Sequence, residues 1–131
     1  MRSTVLTEAK LLAITPQFLV LDLQAACAFY VEKLGFEKRT DVPYGDAQRW
    51  LDVAPAGGEA TVAIVPPMGD NPVGGETGIA FTTNDVDADH ATLRERGVDV
   101  DDEIMRGDDI PSMFWFRDPD GNRYLIVQRG D

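Results

Sequence analysis

The chain reads nearly twice. A shift of 63 residues lays Asp22 on Asp85, Leu23 on Val86 and Ala25 on Ala88, and one place off that register Gly35 meets Gly97. Each aspartate stands where a helix N-cap belongs, and each glycine stands where a left-handed residue ends a helix. The shared positions are therefore the punctuation of one helix per half. Strand-like runs follow each helix in the same order, so the repeat is structural and predicts two copies of one βαβββ unit.

In the first copy, 11–21 has strand composition, with Pro16 tolerable near its start or at a sheet edge. Ala26, Phe29, Tyr30, Lys33 and Leu34 recur at three-and-four spacing, which predicts a helix over about 23–34 with one apolar face. Strands are expected at 36–40, 48–53 and 60–65, set apart by turn chemistry at Pro43-Tyr44-Gly45-Asp46 and Pro55-Ala56-Gly57-Gly58. The second copy supplies a strand at 78–82, a helix from the Asp85 cap to about Arg96, and strands near 98–104, 112–117 and 123–128. The modules thus span about 11–66 and 77–130, joined by a Pro- and Gly-rich linker at about 66–76. Residues 1–10 show no clear period.

One helix on a four-stranded sheet covers only one of its faces, so the other must meet a partner or enclose something. The expected fold class is α+β: two βαβββ modules whose mixed sheets form a cleft, with helices on the outer faces. At 131 residues, the length suits a single domain over 1–131 with one core.

Acidic residues outnumber basic ones 23 to 12, a formal net charge of −11 that repels phosphate backbones and anionic lipid. Neither nucleic acid nor a membrane is expected as partner. The same surplus serves solubility, and it also attracts a cationic ligand. Cys27 is the only cysteine and His90 the only histidine. No disulfide within the chain and no zinc cluster is expected, which fits a reducing cytoplasm. No leader-like start and no run near the ~20 apolar residues of a membrane span is present, so neither export nor insertion is expected.

Asp22-Leu23 through Ala28-Phe29-Tyr30 to Leu34-Gly35-Phe36, then Gly78-Ile79-Ala80-Phe81 with Asp85-Val86-Asp87, then Asp118-Pro119-Asp120-Gly121-Asn122, carry a resemblance in their order. Over about 11–128 the chain resembles the glyoxalase, bleomycin-resistance and extradiol dioxygenase superfamily, also called vicinal oxygen chelate. Locally, Phe29, Tyr30 and Phe36 read as core, and 118–122 reads as a hairpin loop. The resemblance implies a homodimer. It also implies that metal-dependent members hold a divalent ion with His, Glu or Gln side chains, two from each half. Motif alignment puts those positions at Thr15, Ala63, Gly78 and Leu125, none a good ligand. The neighbours Ile14, Pro16, Val62 and Ile64 offer none either, and Gln17 is the only donor close by. No metal and no cofactor is expected. His90, in line with Val86 and Leu93, reads as a helix-to-sheet packing residue.

Strand parity describes the uncovered face of the second module. Ile79 and Phe81 should face the helix, leaving Gly78, Ala80 and Thr82 on the open side. A five-residue loop over 118–122 pairs Arg117 with Arg123, which sets Trp115 opposite Leu125 and adds Met113 and Val127 to that face. Trp115 is then either a ligand contact or a ring that fills the trough or a dimer interface. The candidate ligand-binding residues are Trp115, Met113, Leu125, Thr82, Gln17 and Trp50, with catalytic residues unknown.

The function that follows from the resemblance is small-molecule binding of the bleomycin-resistance type, metal-free, sequestering a cationic drug or metabolite. The alternative is a glyoxalase-like lyase or isomerase, or a dioxygenase, with non-standard or no metal ligands. Without a metal such an enzyme would draw on Asp52, Tyr44 or Arg117.

Overall fold

The computed structural model describes residues 15–44, 48–66, 70 and 72–130. In the first module β1 (Gln17–Leu19) leads to α1 (Leu23–Ala28), a π-helical turn (Phe29–Lys33), β2 (Glu37–Tyr44), β3 (Gln48–Ala54) and β4 (Val62–Val65). The second module contains β5 (Gly75–Thr83), α2 (Val86–Glu95), β6 (Asp99–Val100), β7 (Met113–Arg117) and β8 (Asn122–Gln128). Each forms a four-stranded mixed sheet with equivalent strand order, β1-β4-β3-β2 and β5-β8-β7-β6. In both, the first strand runs parallel to the last and the remaining pairs are antiparallel.

Both helices begin as their caps require. The Asp22 carboxylate accepts from Ala25 N at 3.1 Å and that of Asp85 from Ala88 N at 3.0 Å, satisfying donors that a helix start leaves without partners. Gly35 and Gly97 adopt φ of 75° and 80° after the last turns, a region costly for other residues. The one-residue difference between the halves has a structural reason. Leu34 N bonds Phe29 O, five residues back, so the last turn of the first helical segment holds one residue more than an α-turn.

Four strand expectations are corrected. The first strand is confined to Gln17–Leu19, with 11–14 outside the described residues. β2 runs on through Pro43 and Tyr44, assigned above to a turn, because it is an edge strand where a proline breaks no ladder. Instead of 98–104, β6 comprises only Asp99 and Val100. Asp101, Asp102 and Glu103 place three adjacent carboxylates with poor strand propensity there, and the pairing returns only as a bridge between Met105 and Met113. β5 runs over Gly75–Thr83, longer at both ends than the strand expected at 78–82.

The helix-bearing faces of both sheets feed one core. Val20, Ala26, Phe29, Val53 and Ile64 of the first module and Val86, Leu93, Phe114, Phe116 and Ile126 of the second belong to a single buried cluster. Tyr30 and Tyr124, both 0% exposed, join the halves at its centre. The rings of Phe36 and Phe81 meet edge-on with centroids 5.2 Å apart, continuing the seam. His90 packs as expected: its ring meets Phe114 edge-on, and its Nε2–H donates to Asp101 O at 2.6 Å. The opposite face of each sheet is the side away from this core.

Candidate functional site

On the second sheet, cross-strand register assembles the uncovered face row by row. Trp115 lies opposite Leu125, which lies beside Ala80; Met113 lies opposite Val127, which lies beside Thr82. Arg117 pairs with Arg123, so the loop length has set the expected register. Trp115, Met113 and Leu125 are half-buried and Thr82 is exposed, whereas the alternate residues Phe114, Phe116, Tyr124 and Ile126 are buried in the core. Gly78 departs from simple alternation, because the ladder slips between Glu76 and Ala80 and Gly78 has φ of 73°.

The face is not bare. The Arg123 guanidinium lies 3.7 Å from the centroid of the Trp115 ring, a cation–π contact within the chain, while the same side chain reaches Glu76 at 3.3 Å. Arg117 forms a fork to Asp99, at 2.9 and 3.1 Å, and also reaches Asp101 at 3.1 Å. The Arg117 guanidinium holds the Asp99 carboxyl below the usual carboxylate range. Sheet two thus already carries two cations of its own.

On the first sheet, Gln17, Ala63, Asp52 and Thr40 form one row of the uncovered face, and Trp50 lies opposite Val42 in the next. Gln17 is exposed and Trp50 half-buried. Trp50 Nε1 donates to Asp52 Oδ2 at 2.9 Å. Asp52 is 7% exposed, and its Oδ1 has no hydrogen-bond partner among the described residues. The six candidates therefore divide between two surfaces: Trp115, Met113, Leu125 and Thr82 on one sheet, Gln17 and Trp50 on the other.

The 118–122 loop does more than turn the chain. Asp118 Oδ1 accepts from Asp120 N and Asn122 N at 2.9 and 2.8 Å, while its Oδ2 accepts from Asn122 Nδ2 at 2.8 Å and from the Tyr30 hydroxyl at 2.6 Å. Tyr30 spends its one proton on the carboxylate, so Tyr124, 2.6 Å away, donates to the Tyr30 oxygen. Burial first, then the nearby Tyr124 and Asp118, push the Tyr30 hydroxyl well above the ordinary phenol range, and burial raises Tyr124 likewise. From the same loop, Asp120 Oδ1 accepts from Leu21 N and Asn122 Nδ2 donates to Leu19 O, both at 3.1 Å. This polar knot is structural, and every contact it makes to the first module joins the two halves.

Two cavities lie on the helix-bearing side. One of about 440 Å³ is lined by Phe36, Phe81, Leu93, Arg96 and Phe116, and a more open one of about 920 Å³ by Leu23, Cys27, Val31, Lys38 and Arg49. Of the six candidates only Thr82 lines either. The residues at the metal-ligand positions do not fit a divalent ion. Ala63 and Leu125 face the uncovered sides with hydrocarbon, Gly78 has no side chain, and Thr15 offers one hydroxyl. Among the described residues, no group of three or more His, Cys, Asp or Glu stands close enough to hold a metal.

The sequence model of the Glyoxalase/Bleomycin resistance protein/Dioxygenase superfamily matches residues 13–126. The chain belongs to this superfamily. A glyoxalase/bleomycin resistance/dioxygenase superfamily member from Sphaerobacter thermophilus has a similar structure, with a TM-score of 0.83 at 35% identity, over 90% of this chain and 98% of that one. TnmS3, an antibiotic binding protein from Streptomyces sp. CB03234, superposes with a TM-score of 0.77 at 36% identity, over 91% of this chain and 98% of its own. Among curated proteins, YetH of Bacillus subtilis (strain 168) is 32% identical over 115 residues, covering 83% of this chain and 91% of that protein. The glyoxalase-like fold thus rests on both sequence and architecture.

Proposed function

We propose that this chain is a small-molecule-binding member of the superfamily that sequesters its ligand without a divalent metal. The observation that carries the reading is the pair of uncovered sheet faces, where Trp115, Met113 and Leu125 on one and Trp50 on the other present apolar surface. Thr15, Ala63, Gly78 and Leu125 stand where a metal-dependent relative needs donors, a set with one hydroxyl that does not suit the Lewis acid of lyase and dioxygenase chemistry. The likeness to an antibiotic binding protein supports the same reading. A net charge of −11 favours a cationic ligand.

A second copy of the chain completes the site. The helix-bearing faces share one core, and among the described residues no strand pair joins the two sheets. A ligand on an uncovered face is therefore enclosed only when another sheet comes to lie over it, as a two-fold dimer provides. The protein acts in the cytoplasm, where its single thiol, Cys27, stays reduced. No helix among the described residues is long and apolar enough to cross a membrane.

Thermal shift and tryptophan fluorescence with bleomycin and planar cationic antibiotics, each with and without a chelator, test the reading. A raised midpoint insensitive to chelator, in a protein sedimenting as a dimer, is the expected result. Binding that vanishes with chelator, or turnover of the added compound, would return the enzyme reading to the front.

A further inference from the structure

We propose that Asp52 is the anchor for a positively charged nitrogen of the ligand; the inference rests on the binding reading above and adds the group that recognises the charge. Asp52 sits on β3 with small Ala63 beside it on β4, Thr40 on the other side on β2, and Ala54 next along its own face. At 7% exposure, one carboxylate oxygen accepts from Trp50 Nε1 and the other accepts from nothing among the described residues. A buried acceptor without a donor is unfavourable, and folded proteins rarely keep one without use. Neither Ala63 nor Ala54 can donate from its side chain. The Thr40 hydroxyl does not donate to this oxygen either, so the valence is open to a group that reaches this buried position.

The chemistry of that group follows from the acceptor. A carboxylate binds an N–H cation by a charge-assisted bond, stronger than the bond a neutral amide or hydroxyl makes. Trp50, tied by its own N–H to the same carboxylate, offers an aromatic ring beside the charge. Two rows of this face hold Gln17, Ala63, Asp52 and Thr40, then Leu19 with Val65 and Trp50 with Val42, without a lysine or arginine, and in the row of Ala54 the guanidinium of Arg39 is already paired with Glu37. The second sheet is the opposite case. Trp115 stands at the place equivalent to Asp52 under the 63-residue shift, and Arg123 already covers its ring at 3.7 Å. An incoming cation is repelled there and accepted at Asp52. The ligand class is a planar aromatic amine or amidine, its charge on the first sheet.

Calorimetric titration of the full chain with benzamidinium, benzamide and benzoate, isosteric but charged, neutral and anionic, tests this. Wild type should bind benzamidinium about tenfold or more tightly than benzamide, as expected for a bond to a charged group, and benzoate least. Asp52→Asn keeps an acceptor for Trp50 Nε1 and should abolish the preference while melting at or above the wild-type temperature. Equal binding of the three probes, or a preference that survives in Asp52→Asn, overturns the anchor while leaving the binding reading intact. A clear loss of stability in Asp52→Asn also overturns it, since the carboxylate would then be structural. If neither the probes nor the antibiotics above bind, both readings fall together.

Discussion

Lys33 and Arg96 each donate to the other's backbone carbonyl, at 2.9 and 3.0 Å, across the ends of the two module helices. They are 63 residues apart, the same offset that relates the N-caps Asp22 and Asp85. Such reciprocity, where one residue contacts a second and the second contacts the first in the same way, is what a local two-fold relation produces. The halves of the chain therefore meet much as two subunits do, helix end to helix end. Both side chains are exposed, so these bonds orient more than they stabilise. Stability at this seam comes from the buried pair behind them, Tyr30 and Tyr124.

Tyr30→Phe should destabilise the fold by about 1–3 kcal/mol, because it removes the buried hydroxyl that donates to the Asp118 carboxylate and bonds the Tyr124 hydroxyl. A urea melt measures it. Since Tyr30 and Tyr124 lie in different modules, the loss should appear as an earlier single transition; two separated transitions would show that the modules do not unfold as one unit.

Alkaline pH should act through the same two phenols. Burial raises both above the ordinary tyrosine range, so the folded state holds their protons more tightly than the unfolded state does. Their contribution is complete below about pH 10, the unperturbed value, and is lost as pH rises above it. Phenolate absorbance and circular dichroism, followed together, should show Tyr30 and Tyr124 ionising only as the fold is lost. Ionisation of all three tyrosines near the ordinary value in a folded protein would contradict this.

Trp115→Ala and Phe114→Ala separate the two faces of β7. Phe114, 0% exposed, should cost about 3–5 kcal/mol as a core truncation. Trp115, half-buried under Arg123, should cost only about 1–2 kcal/mol of stability while weakening ligand binding by about 1–3 kcal/mol. A Trp115→Ala loss as large as that of Phe114→Ala would make the ring a core residue.

Elemental analysis of protein purified without chelator should find no stoichiometric zinc, nickel, iron or manganese, given Thr15, Ala63, Gly78 and Leu125 at the ligand positions. One tightly bound ion per chain would contradict the metal-free reading and direct attention to Gln17 and Asp52, which flank Ala63 on the uncovered face.

Periodicity and turn chemistry made much of this legible. Asp22, Asp85, Gly35 and Gly97 marked the helices because cap and left-handed positions demand few residue types, and the 118–122 loop length alone set Trp115 opposite Leu125. The edge run through Pro43 was hidden, since a proline near a glycine reads as a turn unless the strand is known to have a free side. The partners of side chains distant in sequence were hidden too. Nothing local to Tyr30 announces Asp118, 88 residues on, and nothing in Trp50-Leu51-Asp52 says that one carboxylate oxygen will be buried without a donor. Nor does spacing reveal that Arg123 lies across Trp115, because a diagonal contact depends on side-chain rotamers as well as register.

The Asp118 knot also bears on how the chain is made. Tyr30 belongs to the first helical segment, yet the carboxylate and phenol that complete it are Asp118 and Tyr124, near the far end of the chain. During synthesis the first half emerges with that hydroxyl still in water and its apolar helix face still waiting for the second sheet. Domains generally settle as units once their whole length is available. For this protein the final strand is thus the closing part, and a chain ending shortly before Asp118 would lack both partners of the Tyr30 hydroxyl and the strand, β8, that ties β5 to β7.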